Sequence, residues 1–124
     1  VRLLLDAHAF LWFLDGDASL SARARTAIET AGPEVFVSAA TAWEITTKFR
    51  LGKLEGARDV EAAALRHGFA PLAVTMAHAK AAGALDGAHR DPFDRMPAAQ
   101  AEAEDLALVS ADAALDAPTD RRIW

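Results

Sequence analysis

The residues with chemistry to offer in this chain are carboxylates set at the ends of apolar runs. Asp6 closes Val1-Arg2-Leu3-Leu4-Leu5, and Asp112 follows Leu106-Ala107-Leu108-Val109-Ser110-Ala111. Such runs read as buried parallel strands, and in an open parallel sheet ligands bind in the crevice beyond the carboxyl ends of the strands. Glu44 and Asp94 are the other acidic candidates. Glu44 stands between Trp43 and Ile45 in an apolar stretch, where a carboxylate is costly unless a cation or hydrogen-bond donors meet it. Three or four clustered carboxylates would bind a hard, oxygen-preferring ion such as Mg2+ or Mn2+, which can activate water and stabilise the leaving oxygen in phosphodiester cleavage. Each carboxylate also has an ordinary structural role open to it. Asp6 and Asp94 can serve helix N-termini, Asp112 can begin a turn, and Glu44 can pair with Lys48 four residues on.

The apolar spacing predicts the elements that must position these groups. Strands are expected over residues 3–5, 35–37 and 106–109, with a weaker one over 72–74 and a short edge strand over 122–124. Between them, helical spacing covers 9–14, a stretch capped by Ser21 and ending before Gly32-Pro33, and a helix from Ser38 to about Leu51, stopped by Gly52. Asp59 begins a fourth helix reaching His67, Thr75 opens a fifth ending near Leu85, and residues 98–103 belong to a sixth, with a polar loop over 86–90 before it. This alternation predicts an α/β fold with a central parallel sheet of about four to five strands. Right-handed crossovers put all strand C-termini along one edge, so Asp6 and Asp112 should share it. Strand logic alone does not bring Glu44 or Asp94 there.

At 124 residues, the chain reads as one domain over 1–124, without internal repeats or linkers. No apolar stretch approaches the roughly 20 residues of a membrane-spanning helix, so no membrane is expected. The absence of cysteine and of a visible secretory signal suits the cytoplasm. A net charge of −5 argues against coating nucleic acid through bulk positive charge but leaves open a nuclease whose metal ions offset local carboxylates. His67, His78 and His89 have no zinc-like spacing. His8 can act as a base or phosphate contact, or be simply structural.

Four ordered segments carry a resemblance: Leu3-Leu4-Leu5-Asp6-Ala7-His8-Ala9, residues 35–45 ending in Trp43-Glu44-Ile45, His89-Arg90-Asp91-Pro92-Phe93-Asp94-Arg95, and Leu108-Val109-Ser110-Ala111-Asp112. Together with Leu51-Gly52-Lys53-Leu54, they resemble the PIN-domain toxins of the VapC type over essentially the whole chain. The resemblance implies a PIN-like three-layer α/β/α sandwich and a toxin of a type II toxin–antitoxin system. The implied activity is a Mg2+- or Mn2+-dependent endoribonuclease, held inactive by a cognate VapB-type antitoxin and working as a homodimer. It places the catalytic and metal-binding carboxylates at Asp6, Glu44, Asp94 and Asp112, with Asp91 and Ser110 as secondary candidates. Two positions depart from the family pattern. Ala7 stands where Thr or Ser is common, and Pro97 stands where an aliphatic helix former is usual. If the helix begins near Asp94, Pro97 falls in its first turn; if it begins at Pro92, Pro97 should kink it.

An RNA-cleaving site needs cations for the phosphate backbone, and Lys48, Arg50, Lys53, Arg90 and Arg95 are the candidates. Phe10, Trp12 and Phe13 make the first helix apolar on more than one side, which suits either core packing or contact with an antitoxin or second copy. Two other functions stay open. An aspartate-nucleophile phosphohydrolase would also place Asp6 after an N-terminal strand, though it normally wants a second Asp where His8 stands. The departures at Ala7 and Pro97 also allow a PIN-like binding or regulatory module without catalysis.

Overall fold

Leu3, Leu4 and Leu5 form strand β1 (Leu3–Leu5), buried on both faces as an unbroken leucine run demands. The computed structural model describes residues 2–54, 59–86, 91–116 and 121–124. It sets β1 at the centre of a five-stranded sheet with β2 (Val35–Ser38), β3 (Ala70–Leu72), β4 (Ala107–Val109) and β5 (Arg122–Ile123), ordered β3-β2-β1-β4-β5. All pairings are parallel, with Leu5 opposite Val37 on one side and Val109 on the other. The helices are α1 (Ala7–Asp15), α2 (Ala22–Ala31), α3 (Ala39–Arg50), α4 (Val60–Arg66), α5 (Met76–Ala84) and α6 (Pro92–Glu104). No helix among the described residues is long and apolar enough to cross a membrane.

The two-residue period of the strands divides the core. Leu3, Leu5, Val35, Val37 and Val109 pack with Phe10, Ile28 and Ile45 on one face, while Leu4 and Leu108 pack with Ala98, Ala101, Leu106 and Leu115 on the other. The result is the three-layer α/β/α arrangement expected from the sequence. Side-chain caps start the helices where short polar residues predict them: Ser21 accepts from Ala24 N (3.0 Å), Ser38 from Ala40 N (3.0 Å) and Asp59 from Ala62 N (3.0 Å). Gly16 ends α1 in the left-handed region at φ 63°, where a side chain would be strained.

One expectation is corrected, and one alternative left open by the sequence is decided. The third strand lies at Ala70–Leu72, not 72–74. Phe69 N donates to Ala64 O (2.9 Å), closing α4 early, so the chain enters the sheet sooner and leaves Val74 outside it, 39% exposed. Pro71 sits in this strand, which the edge position permits. The sixth helix begins at Pro92, so Pro97 lies in its interior and the Phe93 carbonyl loses its usual N–H partner four residues on.

Candidate active site

The chain steps from β1 outward through β2 to β3, then returns to lay β4 on the other flank of β1. That reversal opens a crevice beyond the carboxyl ends of β1 and β4. Register brings Asp6, Ser38 and Ser110 together there, since each follows or ends a strand aligned at Leu5, Val37 and Val109. Asp6 N donates to Val109 O (3.1 Å), and the Asp6 carboxylate accepts from Ala9 N (2.8 Å), so the strand end is also the cap of α1. Fully buried Ser110 hydrogen-bonds the Asp6 carboxylate, and its hydroxyl accepts from Asp112 N (3.1 Å). Asp112 in turn accepts from Ala114 N (3.0 Å), capping the short turn Ala113–Asp116. Behind them Arg122 donates from Nη1 to Ser110 O (2.8 Å) and from Nε to Asp116 (2.7 Å). Nothing in the sequence singles out Arg122; only the parallel pairing of β5 with β4 brings it to Ser110.

Helix α3 supplies the opposite wall. Glu44 is 6% exposed, and Lys48 Nζ stands 2.6 Å from its Oε2. Ile45 is buried beside it, but Trp43 is 60% exposed and packs edge-on against Phe93 at 4.7 Å, so the apolar setting expected for Glu44 holds on one flank only. Asp91 caps α6 by accepting from Phe93 N (2.9 Å), and Asp94 follows in the first turn. The start of α6 at Pro92 thus makes Asp91, a secondary metal candidate, the cap of the helix.

Asp6, His8, Glu44, Lys48, Asp91, Asp94, Ala111 and Asp112 line one cleft of about 350 Å³. Burial pushes the Asp6 carboxyl above its ordinary value of 3.8, and the charge of Asp94 adds to this. The contacts with Ser110, Ala9 and His8 oppose the rise without cancelling it. Burial also works against the charge on Lys48, yet the hydrogen bond to Glu44 and the charges of Glu44, Asp91 and Asp94 outweigh it and hold the ammonium above its ordinary range. The acidic donors are all carboxylate oxygens, and a divalent cation would compensate both the desolvation of Asp6 and its repulsion by Asp94, so these residues fit a hard ion. Among the described residues, no three carboxylate or imidazole groups stand close enough to enclose such an ion as they are placed. Two larger hollows, of about 500 and 570 Å³, hold none of these carboxylates and are mostly apolar. Chemistry, not size, picks out the acidic cleft.

The remaining candidates divide. Lys48 is the phosphate-binding candidate that lines the cleft. Arg95 points its guanidinium at the end of α5, donating to Ala82 O (2.9 Å) and Leu85 O. Arg50 and Lys53 are exposed at and just past the end of α3, outside the cleft lining. Arg90 lies outside the described residues. Phe10 is fully buried against Phe69, so it is core and cannot present a face to a partner. Trp12 and Phe13 are half-buried, Trp12 against Trp124 and Phe13 against Phe69.

No curated protein matches the chain. Among solved structures, a chain of a toxin–antitoxin complex from Klebsiella pneumoniae superposes with a TM-score of 0.69 at 16% identity, covering 99% of this chain and 97% of that one. VapBC2 from Rickettsia felis, bound to a DNA fragment from their promoter, gives 0.71 at 11% identity over 100% of both chains. At these identities the likeness carries the fold. The family model described as PIN domain matches residues 3–119, nearly the whole sequence, and the chain therefore belongs to the PIN-domain family.

Proposed function

We propose that this chain is the toxin of a VapC-type, type II toxin–antitoxin pair and acts in the cytoplasm as a Mg2+- or Mn2+-dependent endoribonuclease. The observation that carries the reading is the single cleft at the sheet reversal into which Asp6, Glu44, Asp94 and Asp112 all face. Membership of the PIN-domain family and a fold shared with chains of toxin–antitoxin complexes support it. Those four carboxylates would hold the ion, with Asp91 as the alternative to Asp94 on α6. When bound, the ion would supply an acidified water and offset the charge of the scissile phosphate. The chain's own groups do the rest. Ser110 keeps Asp6 and the Asp112 backbone in fixed relation, and Lys48 offers a compact positive charge for a phosphate oxygen. His8, exposed at the rim, can hold or release a proton on its imidazole as the leaving oxygen departs.

A VapB-type antitoxin would need an accessible apolar surface. With Phe10 in the core, the exposed side chains of Trp43, Leu65, Val74 and Met76 offer more of it than α1 does. The homodimer that the resemblance implies would likewise need exposed apolar side chains. The test is cleavage of RNA by the purified chain, freed of any antitoxin, with Mg2+ or Mn2+. Asp6→Asn and Asp112→Asn should each reduce cleavage by about a hundredfold or more while the far-UV circular dichroism stays native. Cleavage that persists in both variants, or in excess chelator, sinks the reading.

A further inference from the structure

Among the described residues of the cleft lining, Lys48 is the one that brings a fixed positive charge among carboxylates, and its ammonium is already committed. Nζ lies 2.6 Å from Glu44 Oε2, a short charge-assisted hydrogen bond made between residues four apart on α3. Glu44 is buried, and this bond offsets part of the cost of its desolvation. A carboxylate oxygen that accepts so close a proton donor is a poor ligand for a divalent ion, and an ion arriving in the cleft would repel the ammonium. Lys48 is able to yield: its side chain is 29% exposed and its stem is four flexible carbons.

We propose that Lys48 is the site's resident counter-ion. It holds Glu44 in the metal-free protein, competes with the divalent ion for that carboxylate, and is released into the cleft when the ion enters. The inference rests on the metal-dependent reading above and adds an order of events to it. Metal uptake frees a cation at the place where a phosphate would lie, so the site gains its anion-binding group only once it is loaded. In the metal-free cleft the charges of Asp91 and Asp94 act on the Lys48 ammonium together with that of Glu44.

The test is calorimetric titration of the full chain with Mg2+ and with Mn2+, together with the 13Cε resonance of Lys48 followed during the Mg2+ titration. Lys48→Met and Lys48→Gln should bind the ion roughly fivefold tighter, the scale of a partly exposed ion pair removed. Lys53→Met, which takes a cation from outside the cleft lining, should leave the affinity unchanged. In the unaltered chain, the Lys48 resonance should shift in step with saturation, a measurement that survives even if the Lys48 variants fold poorly. Unchanged or weaker binding in both Lys48 variants, an equal gain in Lys53→Met, or a Lys48 resonance that stays still while the ion binds would each overturn the inference alone. If the unaltered chain binds no ion, or Asp6→Asn binds it equally well, the metal-dependent reading falls and this inference falls with it.

Discussion

Asp6→Asn should make the metal-free protein more stable while removing its function. Asparagine caps a helix as well as aspartate does and can keep the contacts with Ala9 N and Ser110. What it removes is a charge that burial and Asp94 both oppose. The loss of a negative charge at the α1 N-terminus costs about 0.3–1 kcal/mol, and relief of the burdened carboxylate should exceed it, for a net gain of about 1 kcal/mol. For 124 residues, that is about 4 °C in Tm. The pH dependence follows from the raised pKa. The folded chain holds the Asp6 proton more tightly than the unfolded chain, so this contribution to stability is fully present below 3.8 and is lost as pH rises through the folded value. Asparagine escapes that loss, so its advantage should open between pH 4 and pH 7. Thermal unfolding in EDTA at both pH values measures it. Saturating Mg2+ should then reverse the ranking, because the native chain gains about 2.7 kcal/mol at a hundred times Kd and the variant gains little. A variant less stable than the native chain in EDTA at pH 7, or a gap of the same size at both pH values, would refute the account of Asp6.

Asp91 and Asp94 should separate cleanly: Asp91→Ala loses the cap of α6 and about 1 kcal/mol by urea unfolding, whereas Asp94→Asn leaves stability within about 0.5 kcal/mol and abolishes RNA cleavage. Phe10→Ala should cost about 3–5 kcal/mol in the same unfolding assay, as the loss of a fully buried ring does, and should be read as a folding defect rather than as loss of a partner contact. Buried His78 accepts from Thr75 N at Nδ1 (3.0 Å) and reaches Glu104 from Nε2 (2.8 Å), so 15N shifts should report the Nε2–H tautomer; a proton on Nδ1 would contradict this network.

What the sequence discloses about this fold depends on how local the signal is. Asp6 and Asp112 are legible because an apolar run has a definite end, and parallel connections put those ends on one edge. Glu44 and Lys48 are legible as a pair through their spacing, but their orientation toward the cleft depends on the rotation of α3, which no local pattern records. The same gap explains the first helix. Phe10, Trp12 and Phe13 leave its apolar surface without one clear side, and only tertiary packing decides that Phe10 goes inward while the other two stay half-buried. The third strand was displaced because Leu72-Ala73-Val74 looks more strand-like than Ala70-Pro71-Leu72, and the closure of α4 on Phe69 N outweighs that propensity. The start of α6 could be read either way from Pro97, and Asp91 settles it by capping at Pro92.

The ordinary structural roles of these carboxylates and their proposed chemistry are not rivals. Asp6 caps α1, Asp91 caps α6, Asp112 caps the turn after β4, and Glu44 holds Lys48. Each cap ties a carboxylate oxygen to a backbone N–H and so sets the plane and direction of the group before any ligand arrives, which is how a site on strand ends gains precision without extra protein around it. It follows that a substitution keeping the cap and removing the charge, such as Asp to Asn, isolates the chemistry, whereas alanine removes orientation and charge together. Activity losses measured with alanine at Asp6 or Asp112 would therefore exceed those with asparagine only to the extent that the helix start or turn has also loosened. Protection of the Ala9 and Ala114 amides from hydrogen exchange distinguishes the two. They should remain protected in the asparagine variants and lose protection in the alanine ones.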